Sequence, residues 1–141
     1  MINALYVGGD KKGIPEISEP SIQLDYVQNG MIALSAAQSN DFDAIIIEDQ
    51  LPLMTPTRLL QEFNKINSGT PIICITRSNE RKKNLLNDYG LGLFGYFDPT
   101  SYNIEELVDL LKHAKEFHQF RKKVPRTAVR HFNGLGFEKV V

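Results

Sequence analysis

The segment Asp43-Ala44-Ile45-Ile46-Ile47-Glu48-Asp49-Gln50-Leu51-Pro52-Leu53-Met54 constrains this chain more than any other. Its run of Ala and Ile, closed by acids, reads as a strand buried on both faces, the mark of a parallel sheet covered by helices. Such a strand ends at the carboxyl edge of the sheet, and ligands in open α/β sheets bind just outside that edge. The acids at its end are therefore the first candidates for function.

Strand and helix signals alternate along the rest of the chain. Ile2-Asn3-Ala4-Leu5-Tyr6-Val7 runs into the flexible turn Gly8-Gly9-Asp10, and Ile22 to Val27 alternates as a second strand through Ile22, Leu24 and Tyr26. Asn29-Gly30 opens a helix carrying Ile32, Ala33, Leu34, Ala36 and Ala37, ended by Ser39-Asn40. After the Glu48 strand, Thr55 caps a helix with Pro56 in its first turn. Leu59, Leu60, Phe63 and Ile66 share one face of it, and Ser68-Gly69 stops it. Pro71 to Ile75 is a fourth strand. Ser78 or Asn79 then caps a helix over Glu80 to Tyr89, with Gly90 at its exit. Leu93 to Phe97 is a fifth strand, and a long final helix after Tyr102-Asn103 buries Ile104, Leu107, Leu111 and Ala114.

This order predicts an α/β fold, a flavodoxin-like, doubly wound, five-stranded parallel sheet with right-handed crossovers. The first crossover is the exception. Pro15 and Pro20 lie between Gly9 and Ile22, and proline inside a helix costs about 3 kcal/mol. The first helix is thus shortened to a turn or two around Ile14 to Ser18.

Composition excludes several function classes. A chain of 141 residues is one domain's worth. Lys+Arg 16 against Asp+Glu 17 leaves a net charge of -1, with no global signature of polyanion binding. The basic stretch Lys112, Lys115, Arg121, Lys122, Lys123, Arg126 and Arg130 reads more simply as a solvated helix face and linker than as a nucleic-acid surface. Cys74 is the single cysteine, so neither an intramolecular disulfide nor a cysteine-based metal site can form. No apolar run approaches the roughly 20 residues that span a bilayer, and the N-terminus lacks a secretory apolar core. A cytoplasmic protein without a membrane partner is expected.

The Glu48 segment resembles the phosphorylation segment of two-component receiver domains: an apolar strand, an Asp, then a Met/Leu-Pro turn four residues on. The resemblance covers residues 2 to about 118. In working receivers two acids after strand one help hold Mg²⁺, and an Asp after strand three attacks phosphohistidine. A Ser/Thr after strand four and a Lys after strand five bind the phosphoryl oxygens. Phosphoryl transfer needs such a set because it is mostly positioning and neutralisation of charge.

Carried over position by position, the acid pair falls on Gly8 and Gly9, the acceptor on Glu48, the hydroxyl on Thr76 and the lysine on Asp98. Asp10 is one step late and, on alternating geometry, points elsewhere. Glu48 looks like a permanent imitation of the charged state. The family's aromatic switch position falls on Gly95, with Tyr96 adjacent. The resemblance therefore implies a degenerate pseudo-receiver, non-catalytic, with no metal and no cofactor, acting through a protein partner or an attached effector domain in transcriptional control. Its interaction face would include Arg81, Lys82, Leu85, Leu86, Phe94, Tyr96, Val108 and Leu111.

Competing readings stand beside it. Asp49 or Glu48 could act as a residual phosphate acceptor, although Asp49 reads more simply as a solvated loop acid. Gly8-Gly9 and Gly90-Leu91-Gly92 keep open a flavodoxin-like nucleotide or flavin binder, without a glycine-rich fingerprint to support it. Residues 1–118 are expected to form the domain, and 119–141 a helix extension with a linker and tail. The segment Phe132 to Val141 is similar to the entry into the AAA+ domain of sigma-54-dependent activators. Phe117 and Phe120, beyond the domain edge, predict a homodimer through the last helix.

Overall fold

The computed structural model describes residues 1–9, 17, 19–66, 69–76, 93–100 and 103–123. Five strands, β1 (Ile2–Val7), β2 (Ile22–Val27), β3 (Ala44–Glu48), β4 (Ile72–Ile75) and β5 (Gly95–Phe97), pair in parallel in the order β2-β1-β3-β4-β5. The order reverses at β1, as a doubly wound sheet requires, and places the exits of β1 and β3 side by side. The described helices are α1 (Gly30–Ser39), α2 (Pro56–Ile66) and α3 (Ile104–Lys123). The short first helix around Ile14 to Ser18 and the helix over Glu80 to Tyr89 lie outside the described residues.

Local signals set the helix starts. The Asn29 side chain accepts from the Ile32 N–H at 3.0 Å, and the Thr55 hydroxyl accepts from the Arg58 N–H at 3.2 Å. Each satisfies a donor that a helix start leaves orphaned. β5 begins two residues later than Leu93, although the Phe94 N–H already donates to the Ile72 carbonyl at 2.8 Å.

Alternation along the strands divides the core. Leu5, Val7, Ile45, Ile47 and Cys74 face Leu59, Leu60 and Phe63 of α2 and Ala33 of α1. Ala4, Tyr6, Ile46, Ile73, Ile75 and Phe97 face Leu107, Leu111 and Ala114 of α3. β3 is buried along its whole length, which is why its sequence shows no polar residue before Glu48.

The second half of α3 is docked on its own domain, which corrects the expectation that a single sheet leaves Phe117 uncovered. The Phe117 ring packs against Phe94, with centroids 5.5 Å apart. His118 is buried, and its Nε2 lies 2.9 Å from Asp41 Oδ1, while Lys122 pairs with Asp41 Oδ2. His118 Nδ1 is buried without a hydrogen-bond partner. Lys122, and to a lesser degree His118, hold the Asp41 carboxyl below the usual carboxylate range against its partial burial. Phe117 is half-buried, and Phe120 is 39% exposed.

Candidate functional site

The carboxyl edge of β1 and β3 brings Gly8, Gly9 and Glu48 together. Val7 of β1 is in register with Ile47 of β3, so the next residue of each strand, Gly8 and Glu48, also stand side by side. Glu48 is buried, and its Oε2 accepts a hydrogen bond from the Tyr6 hydroxyl at 2.8 Å. The carboxylate lies over the β1 exit: a Cβ on Gly8 would sit 2.6 Å from Glu48 Oε1. Tyr26 of β2 completes the arrangement. Its hydroxyl donates to the Gly8 carbonyl at 2.7 Å, and its ring stacks on Tyr6 with centroids 6.3 Å apart. Gly9 is packed from the other side by Pro52, whose Cδ would be 3.0 Å from a Cβ there.

Thr76 and Asp98 close the neighbouring strands. Thr76 is buried, and its N–H donates to the Phe97 carbonyl at 3.0 Å, tying the exit of β4 to β5. The Asp98 carboxylate is turned into its own loop, where Oδ1 accepts from the Thr100 N–H at 2.9 Å and the Thr100 hydroxyl at 2.6 Å. Such a short-range turn fixes a carboxylate by local geometry rather than by a ligand. Asp49 follows Glu48 at the β3 exit, where its N–H donates to the Ile75 carbonyl at 2.9 Å. Burial pushes the Cys74 thiol well up, and the Asp49 charge adds to the shift.

The working receivers that the sequence resembles hold a divalent cation, and the residues here do not fit one. The acid positions are glycines, the Glu48 carboxylate is engaged by a phenol, and Asp98 stands where a lysine is expected. No group of three His, Cys, Asp or Glu side chains able to hold a metal exists among the described residues. Gly95, at the aromatic switch position, packs under Leu110: a Cβ there would lie 3.0 Å from Leu110 Cδ1. An aromatic side chain there would have to displace Leu110.

Of the expected interaction face, Phe94, Tyr96, Val108 and Leu111 are among the described residues. Leu111 is fully buried in the core on the α3 side and is withdrawn from the face, because α3 turns it, with Leu107 and Ala114, onto the sheet. Phe94 packs on the α3 side, whereas Tyr96 packs on the opposite side. Val108 is half-buried on α3. Arg81, Lys82, Leu85, Leu86 and Asp10 lie outside the described residues. Sequence reasoning missed Tyr6 as a site residue. The signal was there: Tyr6 precedes Gly8 by two positions, so on a strand both face the same side.

No family model matches the chain. It is 32% identical over 108 residues to the Probable transcriptional regulator ycf29 of Porphyra purpurea, a match covering 72% of this chain and 49% of that protein. The chain thus spans about half the length of this curated relative. Among solved structures, it is similar to the receiver domain of the Francisella response regulator 1452, with a TM-score of 0.69 and 24% identity over 82% of this chain and 98% of the other. The response regulator TrrA of Thermotoga maritima, in complex with Mg(2+)-BeF, gives a TM-score of 0.66 and 22% identity over 81% and 99%. NtrX from Brucella abortus, in complex with ADP, gives 0.73 and 15% over 87% of this chain and 29% of that one. Sheet order, helix placement and these likenesses together make the chain, in fold, a response-regulator receiver domain.

Proposed function

We propose that this chain is a pseudo-receiver: a signalling module that works by protein–protein contact, in transcriptional control, without phosphorylation of an aspartate. The observation that carries this reading is the use of the Glu48 carboxylate. Tyr6 holds it over Gly8, at the point where a working receiver needs two acids and a cation. A phosphoryl donor approaching this edge meets a carboxylate at Glu48, glycines where the resemblance places metal-holding acids and Asp98 where it places a lysine, and phosphoryl transfer depends on neutralising charge. Asp49, the substitute acceptor, follows Glu48 directly, so on alternating strand geometry its side chain turns to the opposite face.

The partner is an effector domain on the same polypeptide or a separate regulator. The curated relative, named as a transcriptional regulator and about twice the length of the match, supports this. A sigma-54-type output remains tied to Phe132 to Val141, outside the described residues. Among those residues no helix is long and apolar enough to cross a membrane, in keeping with a cytoplasmic module. The homodimer through the last helix rests on Phe120, now that Phe94 covers Phe117.

Incubation with acetyl phosphate and Mg²⁺, followed by intact-mass measurement, tests the central claim. No added phosphoryl group is expected. Stoichiometric labelling at Glu48 or Asp49 would reject it. Sedimentation velocity of the chain and of Phe120→Glu tests the dimer, and monomers in both reject that element alone.

A further inference from the structure

The room that an acid pair and its cation would need at the β1 exit is filled by this chain's own side chains. A Cβ on Gly8 would stand 2.6 Å from Glu48 Oε1, 2.7 Å from Glu48 Cδ and 2.8 Å from Tyr6 Cε1, closer than the 3.0 Å below which Cβ atoms essentially never approach. None of these atoms belongs to a free-swinging surface chain. Tyr6 is fully buried with Tyr26 stacked on it, and Glu48 is 8% exposed and hydrogen-bonded to Tyr6.

We infer that Glu48 is a plug in the acid pocket and not an imitation of a phosphoryl group, with Tyr6 as the residue that positions it. A mimic acts by engaging the hydroxyl at the β4 exit, Thr76. The Glu48 carboxylate instead crosses to β1, where its hydrogen bond goes to the phenol of Tyr6. This deepens the pseudo-receiver reading and rests on it: Gly8, Glu48 and Tyr6 fit one another in space. Gly8 leaves space for the longer acid at 48, and Tyr6 supplies the donor that a cation would have replaced. Gly8 and Glu48 are therefore coupled. A side chain at position 8 needs a shorter one at position 48.

The test is a mutant cycle on the full chain, read by thermal midpoint and amide chemical shifts. Gly8→Ala is expected to lower the midpoint by about 5 °C or more. In the Glu48→Asp background the same change should cost no more than about half of that, since coupling between touching side chains is the term such a cycle isolates. Gly8→Asp should be worse than Gly8→Ala and need Glu48→Asp to fold. If it fails to fold in both backgrounds, the alanine cycle still decides. Glu48→Gln keeps the shape and an acceptor for Tyr6, so its shift changes should stay at Tyr6, Gly8 and Tyr26. Equal alanine costs in the two backgrounds, or Glu48→Gln shifts that spread to Thr76 and Phe97, would overturn the plug. Either result is compatible with a wild-type chain that acetyl phosphate does not label, so the plug and the pseudo-receiver reading fail separately.

Discussion

Replacing Tyr6 by Phe removes one oxygen from the centre of the site and almost nothing else. The ring of Tyr6 is fully buried among Ala4, Ile46 and the α3 side of the core, so Phe fills the same volume and leaves no side-chain cavity. What disappears is the 2.8 Å hydrogen bond to Glu48 Oε2. Glu48 is 8% exposed, so water cannot easily replace the donor. A buried acceptor left unsatisfied costs about 1–3 kcal/mol, with charged groups at the upper end. For a domain of this size 1 kcal/mol moves the midpoint by roughly 3–4 °C, so Tyr6→Phe should fall by about 7 °C. Urea unfolding of Tyr6→Phe, Glu48→Gln and the double variant measures the coupling directly, and about 1 kcal/mol or more is expected between the two sites. If Tyr6→Phe lies within about 0.5 kcal/mol of the parent chain, the phenol does not hold the carboxylate, and the account of the site is wrong at its centre.

Three further outcomes follow from the packing. Lys122 and His118 depress the Asp41 carboxyl below its usual 3.8, so its contribution is present above that value and lost as pH falls through the lower folded value. With the Asp41 side chain 62% exposed the gain is small, about 0.5 kcal/mol. Asp41→Asn should therefore trail the parent near neutral pH and converge with it in strong acid, and a gap that persists there would contradict the ion pair. Cys74 is buried with its thiol pushed well up, so it should resist alkylation at neutral pH until the domain unfolds. Fast stoichiometric labelling of the folded chain would refute that. Truncation after His113 removes buried Ala114 and His118 and the Phe94–Phe117 contact, and should cost about 3 kcal/mol or more in urea unfolding. An unchanged midpoint would show that the second half of α3 is not part of the domain.

The fold was written in short-range patterns. An unbroken apolar run made β3 a central parallel strand, Asn29 and Thr55 announced α1 and α2 by capping, and the spacing of Leu107, Leu111 and Ala114 marked the buried stripe of α3. These signals are local because backbone hydrogen bonding and side-chain period depend on neighbours in the chain. The departures that the resemblance assigns to Gly8, Gly9, Glu48 and Asp98 rest only on an alignment of strand ends. What the sequence left open was where side chains turn once strands and helices meet. Leu111 was assigned both to the core and to an exposed face, and the docking of α3 on the sheet decided for the core. Phe117 was left without cover until Phe94, 23 positions earlier, was placed beneath it. Asp41 meets His118 across 77 residues, a pairing with no mark in either neighbourhood. Glu48 is the sharpest case: its identity was plain, yet whether it reached towards Thr76 or back across β1 depended on the register of β1 with β3 and on a phenol contributed by the neighbouring strand. Residue type fixes which bonds a carboxylate can make. Tertiary packing alone decides which donor lies within 3 Å of it, because that distance is set by elements far apart in the chain.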